Sequence, residues 1–194
     1  MKILITGGGG FLGSELTTTL LNRGALNGSS GDQEPIEEIV LIDARFVMRE
    51  NDPRVQQIVG DISQRNVIDE AIGSSKNISI FHLASMVSGE CEEHYDDALR
   101  VNLDGGRNVF EAARVAAGRS RVVFASSIAS FGGAAMPTPV SDLGKQTPQT
   151  TYGMTKAMCE LLINDHTRKG HFDGRSARLP TVIIRPGKPN AAAS

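Results

Sequence analysis

Tyr152-Gly153-Met154-Thr155-Lys156 sets a phenol and an ammonium four residues apart. On a helix that spacing puts both groups on one face. A neighbouring ammonium stabilises phenolate, so the pair predicts a tyrosine pKa below its usual value of about 10. Such a tyrosine can take or give the proton of an alcohol or carbonyl oxygen. Ser126-Ser127 close an apolar run that reads as a strand. A hydroxyl at the carboxyl end of a strand can orient a reacting oxygen and stabilise charge on it. The same pair can also serve as a helix cap or an ST-turn.

Near the amino terminus, Thr6-Gly7-Gly8-Gly9-Gly10-Phe11-Leu12-Gly13 spaces glycines as G-x-x-G-x-x-G. Gly7 permits a tight turn, Gly10 lets the backbone approach a pyrophosphate, and Gly13 allows close helix–strand packing. The N–H groups of the helix start then face the phosphates. Asp43 follows at the end of the second strand of the sheet. Its carboxylate can accept hydrogen bonds from an adenosine ribose and would repel a 2′-phosphate. Arg45 could meet such a phosphate, but Asp43 favours NAD over NADP. Gly60-Asp61-Ile62 offers Asp61 either to an adenine amino group or as the cap of the next helix. With a dinucleotide in place, Lys156 can also bond the nicotinamide ribose hydroxyls.

These groups need a frame that gathers them. Lys2–Thr6, Ile39–Ile42, Val55–Val59, Ser79–Leu83 and Arg121–Ala125 read as strands. Arg175–Leu179 and Val182–Ile184 are further strand candidates, separated by Pro180. Phe11–Arg23 places Phe11, Leu12, Leu16, Leu20 and Leu21 close to a 3.6 period and predicts a helix. A long helix is expected within His94–Ala117 and another over Thr151–Arg168. Asn27–Pro35 reads as a loop, and Ser126–Thr150 as an active-site loop too long for a simple connector. Strands alternating with helices predict an α/β, doubly wound, mostly parallel Rossmann-like sheet, with ligands at the carboxyl ends of its strands.

Composition narrows the function classes. The 194 residues carry 20 basic and 22 acidic side chains, a net charge of −2. That balance argues against a nucleic-acid partner, and no apolar run approaches the roughly 18 residues of a membrane span. Met1-Lys2-Ile3-Leu4-Ile5 runs straight into the glycine loop, too short for a signal peptide. Cys91 and Cys159 are isolated thiols without metal-ligand spacing, so no metal site and a reducing, cytoplasmic setting are expected. Asn27-Gly28-Ser29 and Asn77-Ile78-Ser79 match the glycosylation pattern, which carries no meaning without a secretory signal.

Taken together, the chain resembles the extended short-chain dehydrogenase/reductase family, the NAD-dependent epimerase/dehydratase group. Thr6–Gly13 is similar to its cofactor loop, and Phe81-His82-Leu83-Ala84-Ser85 to its H-L-A-A segment, with Ser85 replacing the last Ala. Asn102-Leu103-Asp104-Gly105-Gly106-Arg107-Asn108 resembles its N-x-x-G-x-x-N motif, and Phe124-Ala125-Ser126-Ser127 its serine strand end. The resemblance implies catalytic roles for Ser127, Tyr152 and Lys156. It implies cofactor contacts from Gly7, Gly10, Phe11, Leu12 and Gly13 at the loop. Further contacts are implied from Asp43, Asp61 and Ile62, from Leu83, Ala84, Ser85 and Asn102, and from Ser126, Tyr152, Lys156 and Pro180.

A narrower resemblance is to the sugar-acid dehydrogenases of this group. It rests on Pro148–Gly153, on Arg178-Leu179-Pro180-Thr181 and on the stretch Arg185–Ser194. It implies NAD-dependent oxidation of the C2 hydroxyl of a small sugar acid such as D-erythronate to the 2-oxo acid. Ser85, Ser127, Tyr152 and Arg185 are then the expected substrate contacts, Arg185 because a guanidinium binds a carboxylate bidentately. The alternatives are a nucleotide-sugar epimerase or dehydratase, and a non-catalytic NAD-binding fragment. Family members usually continue for more than a hundred residues, so the chain reads as one NAD-binding domain over residues 1–194 with its substrate lobe largely missing. The family also predicts a homodimer through the two long helices.

Overall fold

The computed structural model describes residues 1–28, 30–134 and 136–182. Its strands are β1 (Lys2–Thr6), β2 (Ala25–Asn27), β3 (Gln33–Pro35), β4 (Glu38–Asp43), β5 (Val55–Val59), β6 (Ile78–His82), β7 (Arg121–Ser127) and β8 (Asp173–Leu179). Its α-helices are α1 (Phe11–Arg23), α2 (Arg65–Ile72), α3 (Ser88–Glu93), α4 (Tyr95–Ala98), α5 (Gly105–Val115) and α6 (Thr151–Arg168). Six strands form one parallel sheet in the order β5-β4-β1-β6-β7-β8. The strand order reverses between β1 and β6, which is where a doubly wound sheet opens a crevice at its carboxyl edge.

Alternation along the central strands divides the core in two. Ile3, Ile5, Ile39 and Leu41 face one side and pack with Leu16 and Leu20 of α1. Leu4, Val40, Ile42, Ile80 and Val122 face the other, against Ile68 of α2, Phe110 of α5 and Ile163 of α6. Strands apolar on both faces are those covered by helices on both sides. Each such side chain, fully buried, contributes about 1.5–3 kcal/mol of transfer free energy.

Several readings need correction. Asn27–Pro35 is not a plain loop: β2 and β3 pair as an antiparallel hairpin, Ala25 opposite Pro35. The helix expected within His94–Ala117 is helical from Tyr95 to Val115, but Leu99–Asp104 widens into a π-helical stretch between α4 and α5. β7 runs on through Ser126 and Ser127, so both serines lie in the strand, followed by a 3₁₀ turn at Ile128–Ser130. β6 spans Ile78–His82 and β8 starts at Asp173, one residue and two residues earlier than read. Of the strand expected over Val182–Ile184, only Val182 lies among the described residues, and it is irregular.

Candidate active site

The glycine loop joins β1 to α1 at the crevice. Gly7 has φ +75°, a left-handed conformation that costs an L side chain energy, and a Cβ there would lie 2.7 Å from the Ala84 nitrogen. The N–H groups of Gly7 and Gly8 donate to the Ile42 carbonyl at 2.8 and 3.1 Å, fastening the loop to β4. A Cβ on Gly13 would lie 2.2 Å from the Gly7 oxygen, so only glycine lets α1 sit this close. Gly10 is different: an added Cβ would meet only the Gly7 oxygen, at 3.4 Å. The space beside Gly10 is therefore open, and α1 begins there with no side-chain cap and no acid in its first turn. Exposed helix-start N–H groups beside open space suit an anion, so the residues present fit a pyrophosphate.

The loop opens into a cavity of about 580 Å³. Gly7, Gly10, Phe11, Leu12 and Gly13 form one wall; Leu83 and Ser85 with Met86, Val87 and Ser88 form a second. Ser126, Ser127, Tyr152 and Lys156 form a third, and Leu179, Pro180, Thr181 and Val182 a fourth. Met86–Ser88, Ile128 and Ala129 were not singled out from the sequence; Ala125, Leu179 and Thr181 were read only within resemblance motifs, and Val182 only as the start of a strand candidate. The general rule that ligands bind at the carboxyl ends of strands would have pointed to them, since they end or follow β6, β7 and β8.

The side chains expected to act on substrate converge from two elements. Ser127 ends β7, its Oγ accepting from the Ala129 N–H at 3.1 Å. Tyr152 lies in the first turn of α6, which Thr150 caps by accepting from the Gly153 N–H at 3.0 Å. Lys156, 3% exposed, donates from Nζ to the Ala125 carbonyl at 2.8 Å. Its Nζ lies 5.3 Å from the centre of the Tyr152 ring and 4.8 Å from that of Phe124. Burial lowers the Lys156 pKa to about 8.

The expectation of a lowered tyrosine is corrected here. Burial raises the Tyr152 phenol above its ordinary value; the Ser127 hydroxyl opposes that by hydrogen bonding, and Cys91 adds to it. Loss of water around the phenolate outweighs the help of its neighbours when the chain stands alone.

Other expected contacts are placed less directly. Asp43 lies off the cavity lining: its Oδ2 accepts from the Gly9 N–H at 2.9 Å and its Oδ1 from the Arg45 N–H at 3.2 Å. Asp61 also lies off it, accepting from the Ser63 N–H at 2.8 Å and from Arg100 at 2.5 Å. Burial works to raise its pKa, but the Ser63 amide and hydroxyl and the Arg100 guanidinium overcome this and hold it low. Asp61 does not cap α2, whose N-cap is Gln64. The Ile62 side chain belongs to the core. Ala84 donates its N–H to Thr6 at 3.4 Å. Asn102 is buried in the π-helical stretch, with Oδ1 accepting from the Met86 N–H at 2.7 Å and Nδ2 donating to the Met86 carbonyl and the Cys91 sulfur. Its side chain acts on the wall through Met86. The Ser126 side chain turns away from the cavity to Glu160, because neighbouring residues of a strand face opposite sides. Arg185 lies outside the described residues.

Comparison with known proteins gives these features a context. The profile of the NAD dependent epimerase/dehydratase family matches residues 3–190. The chain is 45% identical over 194 residues to D-erythronate dehydrogenase of Cupriavidus necator, covering 100% of this chain and 59% of that protein. It is 43% identical to the nucleoside-diphosphate-sugar epimerase from Agrobacterium tumefaciens, with a TM-score of 0.84, covering 100% of this chain and 56% of that structure. A short-chain dehydrogenase/reductase superfamily protein from the same organism, solved with bound NAD, is 25% identical with a TM-score of 0.73, covering 92% of this chain and 48% of that one. The chain thus spans a little over half the length of the first two. No helix among the described residues is long and apolar enough to cross a membrane.

Proposed function

The chain belongs to the NAD dependent epimerase/dehydratase family, and from that premise we propose that it is the NAD-binding, catalytic-residue-bearing portion of a sugar-acid dehydrogenase. The observation that carries this reading is one cavity with two furnishings. It has a glycine loop fitted to a pyrophosphate on one side and Ser127, Tyr152 and Lys156 on the other. Bound NAD supplies the hydride acceptor. Tyr152 takes the proton of the substrate hydroxyl, Ser127 hydrogen bonds the same oxygen, and the Lys156 ammonium favours the phenolate. The substrate carbinol loses one hydride and one proton and becomes a carbonyl.

The substrate we propose is a small sugar acid such as D-erythronate, oxidised at C2. The 45% identity to a protein named for that activity supports it. Ser85, Ser127 and Tyr152 meet the hydroxyls and Arg185 the carboxylate. The likeness to a nucleoside-diphosphate-sugar epimerase supports a second reading, in which the same trio acts on a larger substrate. Joining to this chain the length by which its relatives exceed it, then supplying NAD with D-erythronate or UDP-glucose, separates the two. NADH from the acid supports the dehydrogenase; conversion of the UDP-sugar without net NADH supports the epimerase.

Asp43 and Asp61 are proposed to serve the adenosine end, with Asn102 and Ala84 shaping the wall beside it. We assign residues 1–194 to a single NAD-binding domain. The two free, buried thiols suit a reducing cytoplasm. For a homodimer the support is apolar exposure: Leu161 of α6 is 64% exposed, Met158 of the same helix is exposed, and so is Tyr95 of α4. Leu161→Glu should turn a dimer into a monomer in sedimentation.

A further inference from the structure

One turn beyond Lys156, α6 buries a second charge. Glu160 is 3% exposed, and three side chains from three segments donate to it. Arg178 of β8 gives Nε to Oε2 at 3.0 Å and NH2 to Oε2 at 2.8 Å. Gln146, in the loop before α6, gives Nε2 to Oε2 at 2.8 Å, and the Ser126 hydroxyl donates to Oε1. Arg178 in turn lies over the Phe131 ring at 4.7 Å and donates to the Asp142 carbonyl at 3.2 Å. Neither Glu160 nor Arg178 lines the cavity.

A buried ion pair is poor evidence for stability, because removing two charges from water offsets most of their attraction. What this pair does well is fix relative position, since a guanidinium fork fits a carboxylate in one geometry. Each segment it joins carries part of the cavity. α6 bears Tyr152 and Lys156. Ser126 is next to Ser127 and faces the opposite way. Arg178 is followed directly by the Leu179–Val182 wall.

We infer that Glu160 is a positioning residue: through Arg178 and Ser126 it sets the register in which Ser127, Tyr152 and the Leu179–Val182 wall meet around one cavity. It touches no ligand and acts through those groups. The inference rests on the proposed roles of Ser127 and Tyr152 only for its effect on turnover, so the test reads Tyr152 itself.

The chain has two tyrosines and no tryptophan. In a Tyr95→Phe background Tyr152 is the sole phenol, and its ionisation can be followed by ultraviolet absorbance. Lys156 of α6, Ser127 of β7 and Cys91 of α3 surround it and stay unchanged. The variant is Glu160→Gln with Arg178→Met, which removes both charges and leaves neither buried alone. We expect the Tyr152 midpoint to fall by about one pH unit as water enters the loosened site, and NAD to bind several-fold more weakly. Arg178→Lys, which keeps the charge without the fork, should shift the midpoint the same way by less. An unchanged midpoint with parental NAD affinity overturns the inference. Should the double variant fail to fold, Gln146→Ala gives the same reading: a smaller downward shift supports the inference and no shift overturns it. A lengthened enzyme that ignored sugar acids would sink the dehydrogenase reading and leave this titration untouched.

Discussion

The Nζ of Lys156 donates to the Ala125 carbonyl at 2.8 Å, so the ammonium of α6 is moored to the strand that presents Ser127. The mooring places a cation in a nearly dry site, and burial lowers its pKa from 10.5 to about 8. Between those values the unfolded chain holds a proton that the folded chain has released. Folding therefore becomes more favourable as pH rises through that window, and the full cost of burial is felt below it.

The first prediction follows from that sign. Relative to Lys156→Met, which has nothing to titrate, the wild-type chain should gain up to ~3 kcal/mol of stability between pH 8 and 10.5. Cys159→Ala in both proteins removes the thiol that burial pushes up to about 12 and that Lys156 draws down. Urea unfolding of the pair at several pH values measures the gap. A gap that does not move means that the ammonium keeps its water.

Two glycines of one loop should respond differently to the same methyl group. Gly10 has φ −79°, ordinary for an L residue, and room beside it. Gly10→Ala should cost less than about 1 kcal/mol of stability. It should weaken NAD binding at least about tenfold, near 1.4 kcal/mol, because the methyl takes the space the phosphates need. Gly13→Ala drives a Cβ to 2.2 Å from the Gly7 oxygen and should destabilise the fold by about 1–3 kcal/mol. Thermal melts alongside calorimetric NAD titrations separate the two effects. A Gly10→Ala chain that binds NAD normally would mean the phosphates lie elsewhere.

Asp43 serves the loop and, on the proposed reading, cofactor choice. Its carboxylate holds the Gly9 N–H, and its charge opposes a 2′-phosphate. NAD should bind more tightly than NADP. Asp43→Asn keeps an acceptor for Gly9 while losing the charge, so it should narrow the preference without unfolding the loop. Equal affinities in the unsubstituted chain would remove Asp43 as the selector.

Local pattern carried much of this structure. β1, α1, β5 and α6 were legible to their end residues, because apolar periodicity and flanking glycines are local signals. The hairpin over Ala25–Pro35 was not, since strands of three residues are too short to show alternation. Nor was the π-helical stretch over Leu99–Asp104, which reads from the sequence as part of one long helix. The spacing of Tyr152 and Lys156 showed that they meet, but not how little water surrounds them. That depends on burial by elements distant in sequence, with Cys91 of α3 adding to it, and it reverses the direction of the Tyr152 shift. The Glu160–Arg178 pair was hidden for a similar reason: its partners lie on different elements.

If Tyr152 and Ser127 act on one oxygen, their losses must not add. Tyr152→Phe removes the proton acceptor and keeps the ring. In a chain lengthened to match its relatives, turnover should fall by about 10² or more. Ser127→Ala removes the hydrogen bond to the same oxygen and should cost about 10². Once the phenol is gone, the serine has no developing charge to stabilise. The double variant should therefore fall little below Tyr152→Phe alone, as groups acting as a unit do. All three should still bind NAD, which isothermal titration checks independently. Losses that multiplied would place the two side chains on different steps, and full turnover in Tyr152→Phe would remove that residue from the chemistry.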